Sequence, residues 1–360
     1  MSPTAAELAA ATLVCLPGMT PNRLRTVIDA FGGPERGLQG VIDGDADAVL
    51  SADLRRWRAA ADVGAIAHLL AHRRTRIYLD GDATYPIVDA VPDRPAVLLA
   101  EGERADAFHA PRVAIVGTRA ATPHGLADAE ELGGVLGTAG VTVVSGLAIG
   151  IDGAAHRGAI DAGGRVVGVV ATGLDITYPR RHAALFDQVR TQGLLVGEQG
   201  FGVRPLPPRF PVRNRIIAAL ADVVIVVEAT RRGGARITAQ HALEYGRPVL
   251  AVPGSRRNPA AEGTNELIAD GAQPLLDWTD VLLVLGLDAA ASNRTVPSAQ
   301  PRPPAGVDGA SVLRSLGGEA ATLDQLTSRT GLTPAQVAVA VRSLERDRWV
   351  ERAHGAVWPR

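Results

Sequence analysis

Lysine is missing from this 360-residue chain, so all 37 basic residues are arginine, set against 38 acids for a formal net charge of −1. The absence excludes a phosphate-loop lysine, a Schiff-base lysine and a biotinyl or lipoyl lysine, and several enzyme classes with them. The bias matches the codon usage of a GC-rich genome. A lone cysteine, Cys15, rules out an internal disulfide framework and a structural zinc cluster and leaves packing as its role. No apolar run reaches the roughly 18 residues that a membrane helix needs. The first ten residues also lack the basic stretch of a secretory signal, so the expected location is cytoplasmic. A hydrophobic content of 46% suffices for one substantial core with one or two small satellites.

The arginines are not spread evenly. Between Val203 and Arg236 seven of them (Arg204, Arg209, Arg213, Arg215, Arg231, Arg232, Arg236) stand against two acids, Asp222 and Glu228. Within this stretch, Phe210-Pro211-Val212-Arg213-Asn214-Arg215 sets an aromatic ring among cations. Phosphates need cations and unpaired bases can stack, so the patch points to a single nucleic-acid strand. A phenylalanine before proline is also ordinary core filling, and residues alone leave both readings standing.

Three compositional zones follow one another. Residues 5–74 carry a helical pattern, with Leu13, Leu16, Leu24, Val27, Ile28 and Phe31 spaced for a small bundle; breaks fall at Leu16-Pro17-Gly18-Met19-Thr20-Pro21 and Phe31-Gly32-Gly33-Pro34. The pattern fits either a plain helical bundle or a helix-hairpin-helix of the SAM-like kind. From Arg112 onward, short β-branched runs alternate with helical segments: 113–116, 141–144, 166–170, 194–196, 223–227 and 249–252. Apolar runs of this kind argue for a parallel sheet buried on both faces, hence a doubly wound α/β fold. Small residues follow nearly every run (Gly117, Ser145-Gly146, Thr172-Gly173, Gly197, Pro253-Gly254), which marks the carboxyl edge of the sheet as the ligand surface. After Leu287 comes an Ala/Ser/Pro-rich linker with Pro297, Pro301, Pro303 and Pro304. A winged helix closes the chain. It has capping boxes at Thr322–Gln325 and Thr333–Gln336, apolar Val337, Val341 and Leu344, and two short strands hinged on Gly355. The expected domains are 1–78 helical, 79–287 core, 288–306 linker and 307–360 winged helix.

Several loops carry chemistry-bearing residues. The strand ending Val116-Gly117-Thr118-Arg119 would project Arg119 above the sheet edge, or tie it to a loop carboxylate. Ser145-Gly146-Leu147-Ala148-Ile149-Gly150-Ile151-Asp152 repeats the pattern. Asp152 suits a helix N-cap, and His156, one turn further on, a packed position. No nucleophile stands at a recognisable spacing from them, so no catalytic residue is assigned. Glu198 and Glu228, each at a strand end, are expected to pair with arginines of the pocket.

Together with Phe210–Ile217, these loops and several further segments resemble, in order from about Tyr85 to Asp280, the DNA-processing protein A family, also called Smf. The further segments are Gly173–Pro179, Gly233–Ala239, Gly246–Gly254, Gly263–Ile268 and Gly271-Ala272. The resemblance implies a Rossmann-like core that binds single-stranded DNA in a basic pocket, forms homodimers and loads the recombinase RecA onto incoming DNA during natural transformation. It further implies a DNA-binding set of Gly117, Thr118, Arg119, Ser145, Gly146, Phe210, Arg213, Asn214, Arg215, Gly234, Arg236 and Thr238, with no metal and no cofactor. Arg119 would contact phosphate. Arg213 and Arg215 would hold phosphates or order the loop, and Asn214 would bond a backbone or base edge.

The chain also departs from the family pattern. Ile149 stands where an arginine is common, His124 where tyrosine precedes Gly125, and His182 where asparagine follows Tyr-Pro. Gly233-Gly234-Ala235-Arg236 replaces a Ser-Gly-Ser-Leu loop, and Arg236 is a candidate substitute for the cation missing at 149. Two competing classes stand beside this reading. A nucleotide-cleaving phosphoribohydrolase, which the core resembles more distantly, would need a Pro-Gly-Gly-x-Gly-Thr-x-x-Glu loop; Arg232–Thr238 and Pro253-Gly254 lack its glutamate. A duplex-DNA regulator would rest on the winged helix, whose last helix balances Arg342, Arg346 and Arg348 with Glu345 and Asp347. That module is expected to be an accessory contact to duplex DNA or protein.

Overall fold

The computed structural model describes residues 3–50, 55–88, 90–287, 306–316, 320–346, 349–353 and 355–359. The chain divides into two compact units, 1–292 and 293–360.

Among the described residues of the first unit, nine strands form one sheet: β1 (Arg76–Leu79), β2 (Val97–Glu101), β3 (Arg112–Val116), β4 (Thr142–Ser145), β5 (Val166–Val169), β6 (Gly193–Gly197), β7 (Val223–Val226), β8 (Val249–Ala251) and β9 (Gln273–Pro274). Their spatial order is β1-β2-β6-β5-β4-β3-β7-β8-β9, with β1–β2 and β2–β6 antiparallel and the other neighbours parallel. The six central strands are the apolar runs of the sequence, trimmed or shifted by a residue or so. The antiparallel edge β1–β2 and the two-residue β9 carry too little periodic signal to be found that way. Every residue of β2 to β8 is buried, as a sheet covered by helices on both faces demands. Chain progression runs one way from β3 through β4, β5 and β6 and the other way through β7 and β8. The topological switch therefore lies between β3 and its neighbours β4 and β7.

The N-terminal helices share one apolar core with this sheet: Leu13, Leu16, Val27 and Trp57 belong to the same cluster as Val113, Leu195 and Ile225. The chain turns between helices Ala5–Val14 and Pro21–Phe31 through Gly18, at φ 74°. The Trp57 indole N–H donates to the Pro17 carbonyl at 2.7 Å, so a member of the bundle occupies this turn. The boundary expected at residue 78 falls inside β1. Polar ties reinforce the contact: Arg73 Nε donates to the buried Glu101 at 2.6 Å, and Arg25 pairs with Asp80 at 2.7 Å. Cys15 is half-buried and its thiol is pushed up by burial, in keeping with a packing role.

In the second unit, helices Gly306–Leu316, Leu323–Thr330 and Pro334–Arg346 and the hairpin of Val350–Ala353 with Ala356–Pro359 enclose a small core of Val312, Leu326, Val337, Val341 and Leu344. The capping box at Thr322 closes with Gln325, and Thr333 exchanges hydrogen bonds with Gln336. This is a winged helix. The linker prolines and Asp347 and Arg348 lie outside the described residues.

Candidate nucleic-acid interface

Where the strand order reverses, the loops after β3, β4 and β7 and the start of helix Arg209–Leu220 surround a cleft of about 520 Å³. Gly117, Thr118, Arg119, Asp152, Tyr178, Phe210, Arg213, Asn214, Gly234 and Thr238 are among its lining. The Arg119 guanidinium sits over the Phe210 ring, 5.1 Å from its centroid, and the Tyr178 ring lies tilted 5.5 Å from Phe210. Phe210 is half-exposed and belongs to neither core of the first unit, so it is not core filling. Two prolines, Pro207 and Pro211, bracket it on the cleft wall.

Backbone geometry brings the loops together. Thr118 donates its amide to the Glu228 carbonyl at 2.7 Å, which holds the β3 loop against the β7 loop. Gly150 has φ 86°, and a side chain there would meet the Thr118 carbonyl at 2.3 Å, so the β4 loop can fold onto the β3 loop only with glycine. Helix Gly234–Glu244 begins at Gly233 without a side-chain cap, and Gly234 and Ala235 face the cleft, a start suited to an anion.

The polar groups divide into those available to a ligand and those that build the wall. Arg119 is exposed. Arg213 is 5% exposed and donates Nη1 to the carbonyls of Gly146 (2.8 Å) and Val169, so of the two roles open to it in the sequence it takes the loop-ordering one. Burial pulls its guanidinium down to about 10 against the attraction of the Asp152 carboxylate. A Cβ on Gly146 would lie 2.6 Å from that guanidinium, which is why the loop needs glycine there. Arg215 turns away from the cleft and pairs with Glu198. Asn214 Nδ2 donates to the Gly234 carbonyl at 3.1 Å, a backbone bond. Ser145 is buried and donates to the Ile115 carbonyl at 2.6 Å. Thr238 is buried at the cleft wall. Arg236 is held by Glu266 and lies outside the cleft lining.

Two sequence expectations are corrected. Asp152 is not the cap of helix Ile151–Asp161; Gly150 is, and the Asp152 carboxylate reaches back to accept the Gly146 amide (3.1 Å) and the Ala148 amide (3.4 Å). The short Gly-rich loop needs an acceptor more than the helix does, and burial raises the carboxyl above its usual range. Glu228, expected beside an arginine, accepts instead from the Thr122 amide (2.8 Å) and hydroxyl (2.6 Å), fixing the start of helix Pro123–Thr138. His156 is fully buried with both ring nitrogens beside the Asp152 and Val167 carbonyls, a packed residue as expected. Tyr178 lies in the Gly173–Pro179 segment, with no signal of its own in the sequence. Its role as a second aromatic wall arises from a contact between loops distant in sequence.

A cationic and aromatic cleft at the topological switch of a doubly wound sheet, in a chain that also carries a winged helix, defines a narrow class of α/β proteins. The chain belongs to the DNA recombination-mediator protein A family: that family's model matches residues 76–286, and the DprA winged helix domain matches 296–356. It is 42% identical over 258 residues to the putative DNA processing protein DprA of Mycobacterium tuberculosis, covering 70% of this chain and 65% of that one. To the Escherichia coli protein Smf it is 37% identical over 287 residues, covering 77% and 75%. Among solved structures, DNA processing protein A of Streptococcus pneumoniae superposes with a TM-score of 0.65 at 32% identity, covering 79% of this chain and 98% of that one. The Helicobacter pylori protein, whose structure was described for its single-stranded DNA binding mode, gives 0.53 at 28% identity, covering 60% and 97%. The match thus spans just under two thirds of the mycobacterial relative's length.

Proposed function

We propose that this protein binds single-stranded DNA without catalytic turnover, protects incoming strands and delivers them to the recombinase RecA during natural transformation, acting in the cytoplasm as a homodimer. The observation that carries this is the Arg119–Phe210 pair at the mouth of the switch-point cleft: one exposed cation for a phosphate, fixed against one ring for a base. Gly117, Thr118, Gly234 and Thr238 shape the cleft around the strand. Ser145, Gly146, Arg213, Asn214 and Arg215 serve it by holding loops and the Phe210 helix in place. The Helicobacter pylori relative, described with single-stranded DNA, supports the choice of ligand. Absence of turnover is supported by the state of the nearby acids, since Asp152, Glu198 and Glu228 are each committed to an amide, an arginine or a threonine. No helix among the described residues is long and apolar enough to cross a membrane.

The test is salt-dependent binding of matched single- and double-stranded oligonucleotides, with an equilibrium mass measured on the same sample. Preference for the single strand and a steep negative dependence of affinity on salt are expected. Equal affinity for duplex, or release of free base from a mononucleotide, would contradict the proposal.

A further inference from the structure

Helix Glu262–Ala269 packs beside the carboxyl ends of β7 and β8 and clasps the loops that follow them. Its Asn265 holds the β8 loop by a two-way exchange with Gly254, the amide donating to Oδ1 at 3.1 Å and Nδ2 donating to the carbonyl at 3.0 Å. The next residue, Glu266, takes the β7 loop: one carboxylate oxygen accepts from Arg231 Nε at 2.5 Å, the other from Arg236 Nη1. Arg236 also donates to the Arg231 carbonyl at 3.2 Å, and its other nitrogen is 4.0 Å from Asp270. The chain between these two arginines is Arg232-Gly233-Gly234-Ala235, whose last three residues line the cleft. Two guanidiniums therefore flank the cleft-lining loop, and a single carboxylate binds both as a phosphate would.

We propose that Glu266 is an internal substitute for strand phosphate: it occupies Arg231 and Arg236 in the free protein and yields them to the phosphates of a strand leaving the cleft over the β7 loop. This rests on the single-strand reading given above. Three observations favour exchange over permanent pairing. The Arg231 side chain is 72% exposed, so it can swing to a new partner without disturbing the core. Glu266 is itself 30% exposed, and ion pairs in such a setting are weak and screened by salt. Arg232, Arg256 and Arg257, exposed on the same two loops, make no ion pair among the described residues, so the surroundings attract a polyanion before any exchange takes place. Arg215 offers the contrast: its partner Glu198 is buried and the pair stays closed.

Glu266→Gln keeps the shape and one acceptor while releasing a unit of negative charge. Titrated with labelled oligothymidylate, the full-length variant is expected to bind several-fold tighter than wild type at low ionic strength. Its slope of log affinity against log salt should become about 0.7 more negative, the increment for one unit of charge on a single strand, because no freed carboxylate is left to attract a cation when the arginines turn to the phosphates. Arg236→Ala and Arg231→Ala are expected to weaken binding and flatten the slope, and Arg236→Ala combined with Glu266→Gln should lose most of the gain. If Glu266→Gln binds more weakly, or with an unchanged slope, the carboxylate only braces the loop and the inference fails while the cleft assignment survives. If wild type itself does not bind the oligonucleotide, the single-strand reading fails instead. Thermal melts of each variant, expected to match wild type, separate these outcomes from misfolding.

Discussion

Arg119 and Phe210, ninety-one positions apart in sequence, form one cation–ring pair: the guanidinium is stationed 5.1 Å from the ring centroid by the loop after β3 and the first turn of helix Arg209–Leu220, which meet at the cleft. The cation is pre-positioned by the face it lies on, which reduces the ordering cost when a phosphate arrives.

Phe210→Ala should weaken oligothymidylate binding by the value of one base–aromatic stack, about 1–3 kcal/mol, with the midpoint of unfolding nearly unchanged because the ring lies outside the core. Phe210→Trp should bind at least as well as wild type. Fluorescence anisotropy and urea unfolding on the same samples check both statements.

Arg119→Ala should lower affinity and make the salt slope about 0.7 less steep, because one phosphate contact is lost. Stability should be unaffected, since the side chain is exposed. A variant that binds with the wild-type slope would remove Arg119 from the interface.

Arg213 behaves in the opposite way. Arg213→Met strips two buried carbonyls of their donor and leaves Asp152 without its neighbouring positive charge. A loss of about 3 kcal/mol in unfolding free energy is expected, with binding lost as a consequence. Urea denaturation reads the first effect directly.

His156 gives the fold a pH dependence with a defined sign. Burial lowers its pKa from 6.5 to about 4, so between those values the unfolded chain takes up a proton that the folded chain refuses. Stability should therefore fall as pH drops through that window. Asp152, raised by burial, acts in the opposite sense and softens the acid end. His156→Gln should flatten the slope of unfolding free energy between pH 6.5 and about 4.

Truncation after Ala305 removes the winged helix, whose last helix is nearly neutral in sequence. Single-strand affinity should be retained within a factor of about two, with any loss confined to duplex binding. A gel-shift comparison of the two lengths tests this.

Sequence alone determined the six central strands and the edge that carries the ligand loops. Near-continuous β-branched runs followed by glycine can bury both faces of a sheet only in a parallel, doubly wound arrangement. The capping boxes of the winged helix are equally local, since they are set by residues three apart. The partners of the arginines are a different matter. Arg213, Arg215 and Arg236 look alike in sequence, yet one closes on carbonyls, one on a buried carboxylate and one on a shared surface carboxylate. The two carbonyls lie 67 and 44 residues from Arg213, and the carboxylates 17 and 30 residues from Arg215 and Arg236. Only the folded chain brings such partners within hydrogen-bond range, so tertiary structure decided which cations face the cleft and which hold it together.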